Sequence, residues 1–141
     1  MSIKFTIIIT AEKKEKYILE TIKSCLEQSL IKKFSIIVVY SKLNNEKLVK
    51  SRFLHLKNLL FLKCPVKKTS PTNDQLYKIE MATKFLKDEW VLLLDGDDLF
   101  SKKKLITLKN LNLDRDNLYL HDHKIIIGKT LTNSKSYKKY K

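Results

Sequence analysis

Trp90-Val91-Leu92-Leu93-Leu94-Asp95-Gly96-Asp97-Asp98-Leu99-Phe100 is the stretch whose reading decides the fold. An unbroken apolar run followed at once by acid describes a strand buried on both faces, with carboxylates emerging at its C-terminal end. Open α/β sheets bind their ligands at that edge. Asp95, Asp97 and Asp98 repel one another, so a cation is the natural relief, and hard carboxylate oxygens suit Mg²⁺ or Mn²⁺. A divalent cation in turn points to phosphate. A solvated acidic turn, with Gly96 as its turn residue, is the plain alternative.

Outside this stretch the composition sets limits. A chain of 141 residues, 43% of them apolar, suits one globular domain with a real core. No apolar segment approaches the length of a membrane span, and Met1 to Thr10 lacks the features of a secretory signal. Cys25 and Cys64 are isolated, without metal-type spacing, and read as reduced core residues of a cytoplasmic protein. The formal charge of +14 attracts polyanions: nucleic acid, phosphorylated substrates or an anionic membrane surface in peripheral contact. Lysine supplies nearly all of it. Arginine, the side chain most used to read bases, occurs only at Arg52 and Arg115, which favours a solvated lysine coat over a dedicated nucleic-acid surface.

Working back to the start, Phe5 to Thr10 is a β-branched run suited to an interior strand. Ala11 to Lys14 forms a loop, and Ile18, Ile22, Cys25 and Leu26 then recur with the period of a helix that buries one face. Phe34 to Tyr40 is a second apolar run, parallel to the first across that helix. Ser41 to Asn45 is a polar loop, a helical stretch begins at Glu46, and Leu59 to Leu62 is a third strand. Lys63 to Ser70 is basic and irregular. Thr72 with Gln75 predicts a capping box for a helix whose apolar face is Leu76, Ile79, Ala82, Thr83 and Leu86. Beyond the acidic cluster Ser101 can cap a short helix carrying Leu105 and Leu108. Leu118 to Ile127 reads as a last strand, on which Tyr119, His121 and His123 share one face. The six lysines and absent acids from His123 onward describe a basic tail, so the expected division is a domain over 1–128 and a tail over 129–141.

The run Ile7 to Tyr17 with its helix, Phe34 to Ser41, and Glu89 to Asp98 together resemble, in order and spacing, the nucleotide-sugar-binding half of family 2 glycosyltransferases. Thr21, Ser24, Leu26, Gln28 and Ser29 match that family's usual spacing after the first loop. The resemblance implies an α/β, Rossmann-like GT-A fold: three layers about a largely parallel sheet, here with a minimal acceptor region, since forty-three residues follow Asp98. It implies a hexosyltransferase using Mn²⁺ or Mg²⁺ and a nucleotide-sugar donor, UDP-hexose by analogy, acting with inversion on a glycan, lipid or phosphorylated acceptor. A homo-oligomer would supply the acceptor side from a second subunit.

The same resemblance assigns residues. Asp97 would ligate the metal, with Asp95 facing the ribose or donor sugar and assisting through water, and Gly96 between them. Asp98 would cap the next helix. Thr10, Ala11 and Glu12 stand where the family has its first donor loop, and Tyr40 and Ser41 replace its paired aspartates, Tyr40 offering a ring to stack on the base. Lys68 could reach the diphosphate. Asp122 and His123 are candidate general bases and His121 a candidate metal ligand. Two other classes compete: a haloacid-dehalogenase-like phosphatase, whose site also opens on a strand ending in Asp-x-Asp, and a basic module binding nucleotide or nucleic acid without catalysis. For the transferase, the loops at Thr10, Tyr40 and Asp95 must converge.

Overall fold

The computed structural model describes residues 4–12, 17–87, 89–111, 124–127 and 130–133. The chain divides into two compact units, Met1–Leu111 and Asn112–Lys141. In the first, β1 (Phe5–Ala11), α1 (Ile18–Leu26), β2 (Phe34–Tyr40), α2 (Glu46–Ser51), β3 (Leu59–Lys63), α3 (Pro71–Thr83), β4 (Trp90–Asp95) and α4 (Lys104–Asn110) follow in order. The strands form one sheet, β3-β2-β1-β4, parallel at every pairing. Parallel neighbours require a crossover, and each of the first three helices supplies one. The second unit shows β5 (Lys124–Ile127) paired antiparallel with β6 (Thr130–Asn133). β6 lies in the stretch expected to be a tail, and the boundary between units falls at Leu111, not at 128. Of the strand expected over Leu118 to Ile127, only its last four residues are among those described.

β1 and β2 read as continuous apolar runs because both sheet faces are covered there. On one face Ile7, Ile9, Ile36, Val38 and Leu94 pack with Ile18, Ile22 and Cys25 of α1, Val49 of α2 and Leu105 of α4. On the other, Ile8, Ile37, Val39 and Cys64 pack with Ala82, Tyr77 and Met81 of α3. Three layers result.

β4 departs from its reading as a strand buried on both sides. Leu92 and Leu94 are buried, whereas Val91 is 39% and Leu93 50% exposed. The reason is position: β4 is the edge of the described sheet, and α3 lies over β1 and β2. α3 also departs from expectation. Ser70, not Thr72, is its cap, accepting the Asn73 N–H, because Pro71 has no N–H to satisfy and a φ already helical, which suits the first helical position. Its buried positions are Lys78 and Ala82, while Leu76 is exposed.

Truncation should report this asymmetry. Ile9→Ala is expected to cost about 2 to 5 kcal/mol of unfolding free energy, as buried aliphatic truncations do. Leu93→Ala should cost no more than about 1 kcal/mol. Denaturant titration measures both, and an equal loss at Leu93 would show that its face is covered.

Candidate functional site

The parallel register fixes what meets at the C-terminal edge of the sheet. Thr10 pairs with Asp95, Ala11 with Tyr40, and Tyr40 with Lys63. The three loops therefore converge. The Gly96 N–H donates to the Thr10 carbonyl at 3.0 Å, extending the β1–β4 ladder one residue into the acidic turn, and the Asp98 N–H closes that turn on the Asp95 carbonyl at 3.0 Å.

Asp95 is held by two neighbours. Its Oδ1 accepts from Thr10 Oγ1 at 3.3 Å and from the amide Nε2 of Gln75 on α3. Sequence reasoning gave Gln75 only a capping role. The available signal was that polar residues at 74, 75 and 78 interrupt the apolar face of α3 just where it crosses the strand ends. Lys78 is 2% exposed, ion-paired with Asp74 and 4.0 Å from Glu12, so a buried ammonium stands behind the first loop and neutralises acid there. Asp97 and Asp98 are exposed on the turn.

The turn is also anchored from α1, in contacts that the sequence reading registered only as matching spacing. Thr21 Oγ1 donates to the Gly96 carbonyl at 2.9 Å, and Ser24 Oγ accepts the Phe100 N–H at 3.1 Å. Gln28, 1% exposed, donates to the Ser24 and Ser101 carbonyls, and its Oε1 accepts the Leu105 N–H at 2.9 Å. Gln28 thus caps the first turn of α4. The helix has no side-chain cap of its own at Lys103.

On the β2–β3 side the picture changes. Tyr40 is fully buried, edge-on to Phe61 at 6.5 Å, with its hydroxyl donating to Glu46 Oε1 at 2.7 Å. Its ring is a core side chain and offers no face for a base, which corrects the stacking expectation. Lys50 and Lys63 each reach Glu46 at 3.0 Å. The Tyr40 hydroxyl and then these two ammonium groups hold the Glu46 carboxyl down at about 2, while burial pushes the Tyr40 phenol above its ordinary value. Ser41, Asn44, Glu46, Lys63 and Cys64 line an open cavity of about 500 Å³ whose described lining does not include Asp95, Asp97 or Asp98. Ala11 is fully buried. Lys68 is exposed in the loop before α3.

His121, Asp122 and His123 lie outside the described residues. Among those described, no group of three His, Cys, Asp or Glu side chains is gathered for a metal. Asp95 and Asp97 supply carboxylate oxygens of the right chemistry for Mg²⁺ or Mn²⁺, so an ion seated here would complete its shell with phosphate oxygens and water. No described helix is long and apolar enough to cross a membrane.

No protein family and no curated protein matches the chain by sequence. Solved structures do. TarS from S. aureus is 26% identical with a TM-score of 0.62, aligned over 76% of this chain and 19% of its own. Its residues 1–349 in complex with UDP give the same identity and score over 31% of that chain. The mannosyltransferase PcManGT from Pyrobaculum calidifontis, in complex with GDP-Man and Mn²⁺, is 18% identical with a TM-score of 0.58, over 72% of this chain and 30% of its own. These neighbours are GT-A glycosyltransferases, and the chain shares that α/β fold. It spans less than a third of their length.

The Glu46 cluster gives a pH prediction. Its depressed carboxyl contributes stability that is complete above the unfolded value of 4.5 and is lost as pH falls towards about 2. Urea unfolding of the parent at about pH 6 and about pH 3 should show a larger loss than in Glu46→Gln. Equal losses would remove Glu46 from the acid response.

Proposed function

We propose that this chain is the donor-binding part of a metal-dependent glycosyltransferase that moves a hexose from a UDP-sugar to a glycan, lipid or phosphorylated acceptor with inversion. The observation that carries this reading is the convergence of Thr10, Asp95 and the Gly96 turn at one sheet edge, in a fold shared with the UDP-bound TarS structure. That nucleotide-bound neighbour favours a transferase over a dehalogenase-like phosphatase.

In this reading Thr10, the Ala11 backbone and Glu12 border the donor, and Asp95 faces the ribose or sugar with one oxygen already fixed by Gln75 and Thr10. Asp97, with Asp95, would hold Mn²⁺ or Mg²⁺. The ion, when bound, supplies positive charge against the diphosphate as it departs. Lys68 adds charge from the loop before α3. Ser41 lies beside the β2–β3 cavity and bounds the base side. The acceptor hydroxyl attacks the anomeric carbon, the bond from that carbon to the diphosphate oxygen breaks, and Asp122 or His123 takes the hydroxyl proton. The charge of +14 suits an anionic acceptor.

Titration calorimetry with UDP in the presence of Mn²⁺ tests the donor site. Binding is expected in the parent, with affinity at least about tenfold weaker in Asp97→Ala and in excess chelator. Binding of equal strength without the ion or without Asp97 would mean that the acidic turn is not the metal seat. The same titration across UDP, GDP, CDP and TDP identifies the base.

A further inference from the structure

We infer that Thr21 of α1 is the positioning residue of the acidic turn, fixing through one hydrogen bond the directions in which Asp95 and Asp97 leave the backbone. Gly96 is the residue between those two carboxylates, and it is buried. Its N–H is held by the Thr10 carbonyl at 3.0 Å and its carbonyl by Thr21 Oγ1 at 2.9 Å. With both peptide groups of Gly96 tied, one to β1 and the other to α1, the peptides that carry Asp95 and Asp97 have little freedom to rotate.

The hydroxyl has two acceptors within reach, and the Gly96 carbonyl is the nearer. A helical threonine ordinarily turns its hydroxyl back to the carbonyl four residues earlier. Here that carbonyl, Tyr17, already accepts the Thr21 N–H at 3.0 Å and lies 3.2 Å from Oγ1, farther than Gly96. A hydroxyl has one proton to give. Thr21 is 0% exposed, so water cannot replace the bond if it is lost, and a buried carbonyl without a donor is costly. One turn further along α1 Ser24 Oγ accepts the Phe100 N–H, and Gln28, just past the end of that helix, donates to the Ser101 carbonyl, so the grip continues past the turn and Thr21 is its end nearest the carboxylates.

The inference deepens the donor-site reading and relies on it only for a ligand assay. The test compares Thr21→Val, which keeps the volume and removes the hydroxyl, with Thr21→Ser, which restores it, and with Ile22→Val, a buried change on the same helix that leaves the turn alone. Amide hydrogen exchange is measured on the unliganded proteins, and UDP affinity with Mn²⁺ by calorimetry. In Thr21→Val the Gly96 and Asp98 amides should exchange about tenfold faster relative to the Ile8 amide, and the Mn²⁺-dependent affinity should fall about tenfold. Thr21→Ser should recover both, and Ile22→Val should accelerate all amides together. If Thr21→Val does not fold, Thr21→Ala takes its place. Uniform acceleration in the hydroxyl-free variant, or failure of Thr21→Ser to rescue, overturns the assignment. If the parent binds no UDP, the donor reading falls, and the exchange measurement still decides the role of Thr21.

Discussion

A central parallel strand must satisfy both of its edges, and the pairing of β1 with β2 on one side and β4 on the other governs everything built here. Register is not free to slip, because a shift of one residue would exchange the two faces of a strand buried on both and carry Thr10 away from Asp95. With the register set, all four strands end at one edge, at Ala11, Tyr40, Lys63 and Asp95. The loops that follow Ala11, Tyr40 and Asp95 are thereby brought side by side.

The second constraint is dielectric. The strand ends are partly buried, so each polar group there needs a partner, and none of the buried side-chain nitrogens and oxygens among the described residues lacks one. The solutions differ on the two sides of the edge. Near β2 and β3 one carboxylate is saturated by a phenol and two ammonium groups, which leaves it structural. Near β1 and β4 Asp95 is held at one oxygen by Thr10 and Gln75 on an exposed turn.

Much of this was legible in the residues. Apolar runs, helical periodicity and the acid after Leu94 were enough for strand order of appearance, helix count over the first unit and the convergence of the Thr10, Tyr40 and Asp95 loops, because these depend on local pattern and on the parallel crossover rule. What escaped were features set by tertiary position. Tyr40 looks like a ligand-facing aromatic until the pleat turns it into the core. Leu76 looks buried because helical period counts apolar residues, whereas the inward face of α3 at the site is Gln75 and Lys78. Gln28 is in the sequence a polar residue that only matches a family spacing, and in the fold it caps α4, a pairing across 77 residues that no local pattern carries.

The sequence separations of these contacts have a consequence for how the protein comes into being. Gln75 meets Thr10 across 65 residues, Thr21 meets Gly96 across 75, and Thr10 meets Asp95 across 85. Closing such loops costs entropy before any bond repays it, so these contacts form late. While a chain is being synthesised, α1 emerges with Thr21 and Ser24 on it and Gln28 just beyond its end, and their partners do not yet exist. Those side chains stay hydrated until residues 90 to 105 arrive. Completion of the core and assembly of the site are then a single event, and a ligand held there would act by slowing departure from the native state and not by hastening its formation.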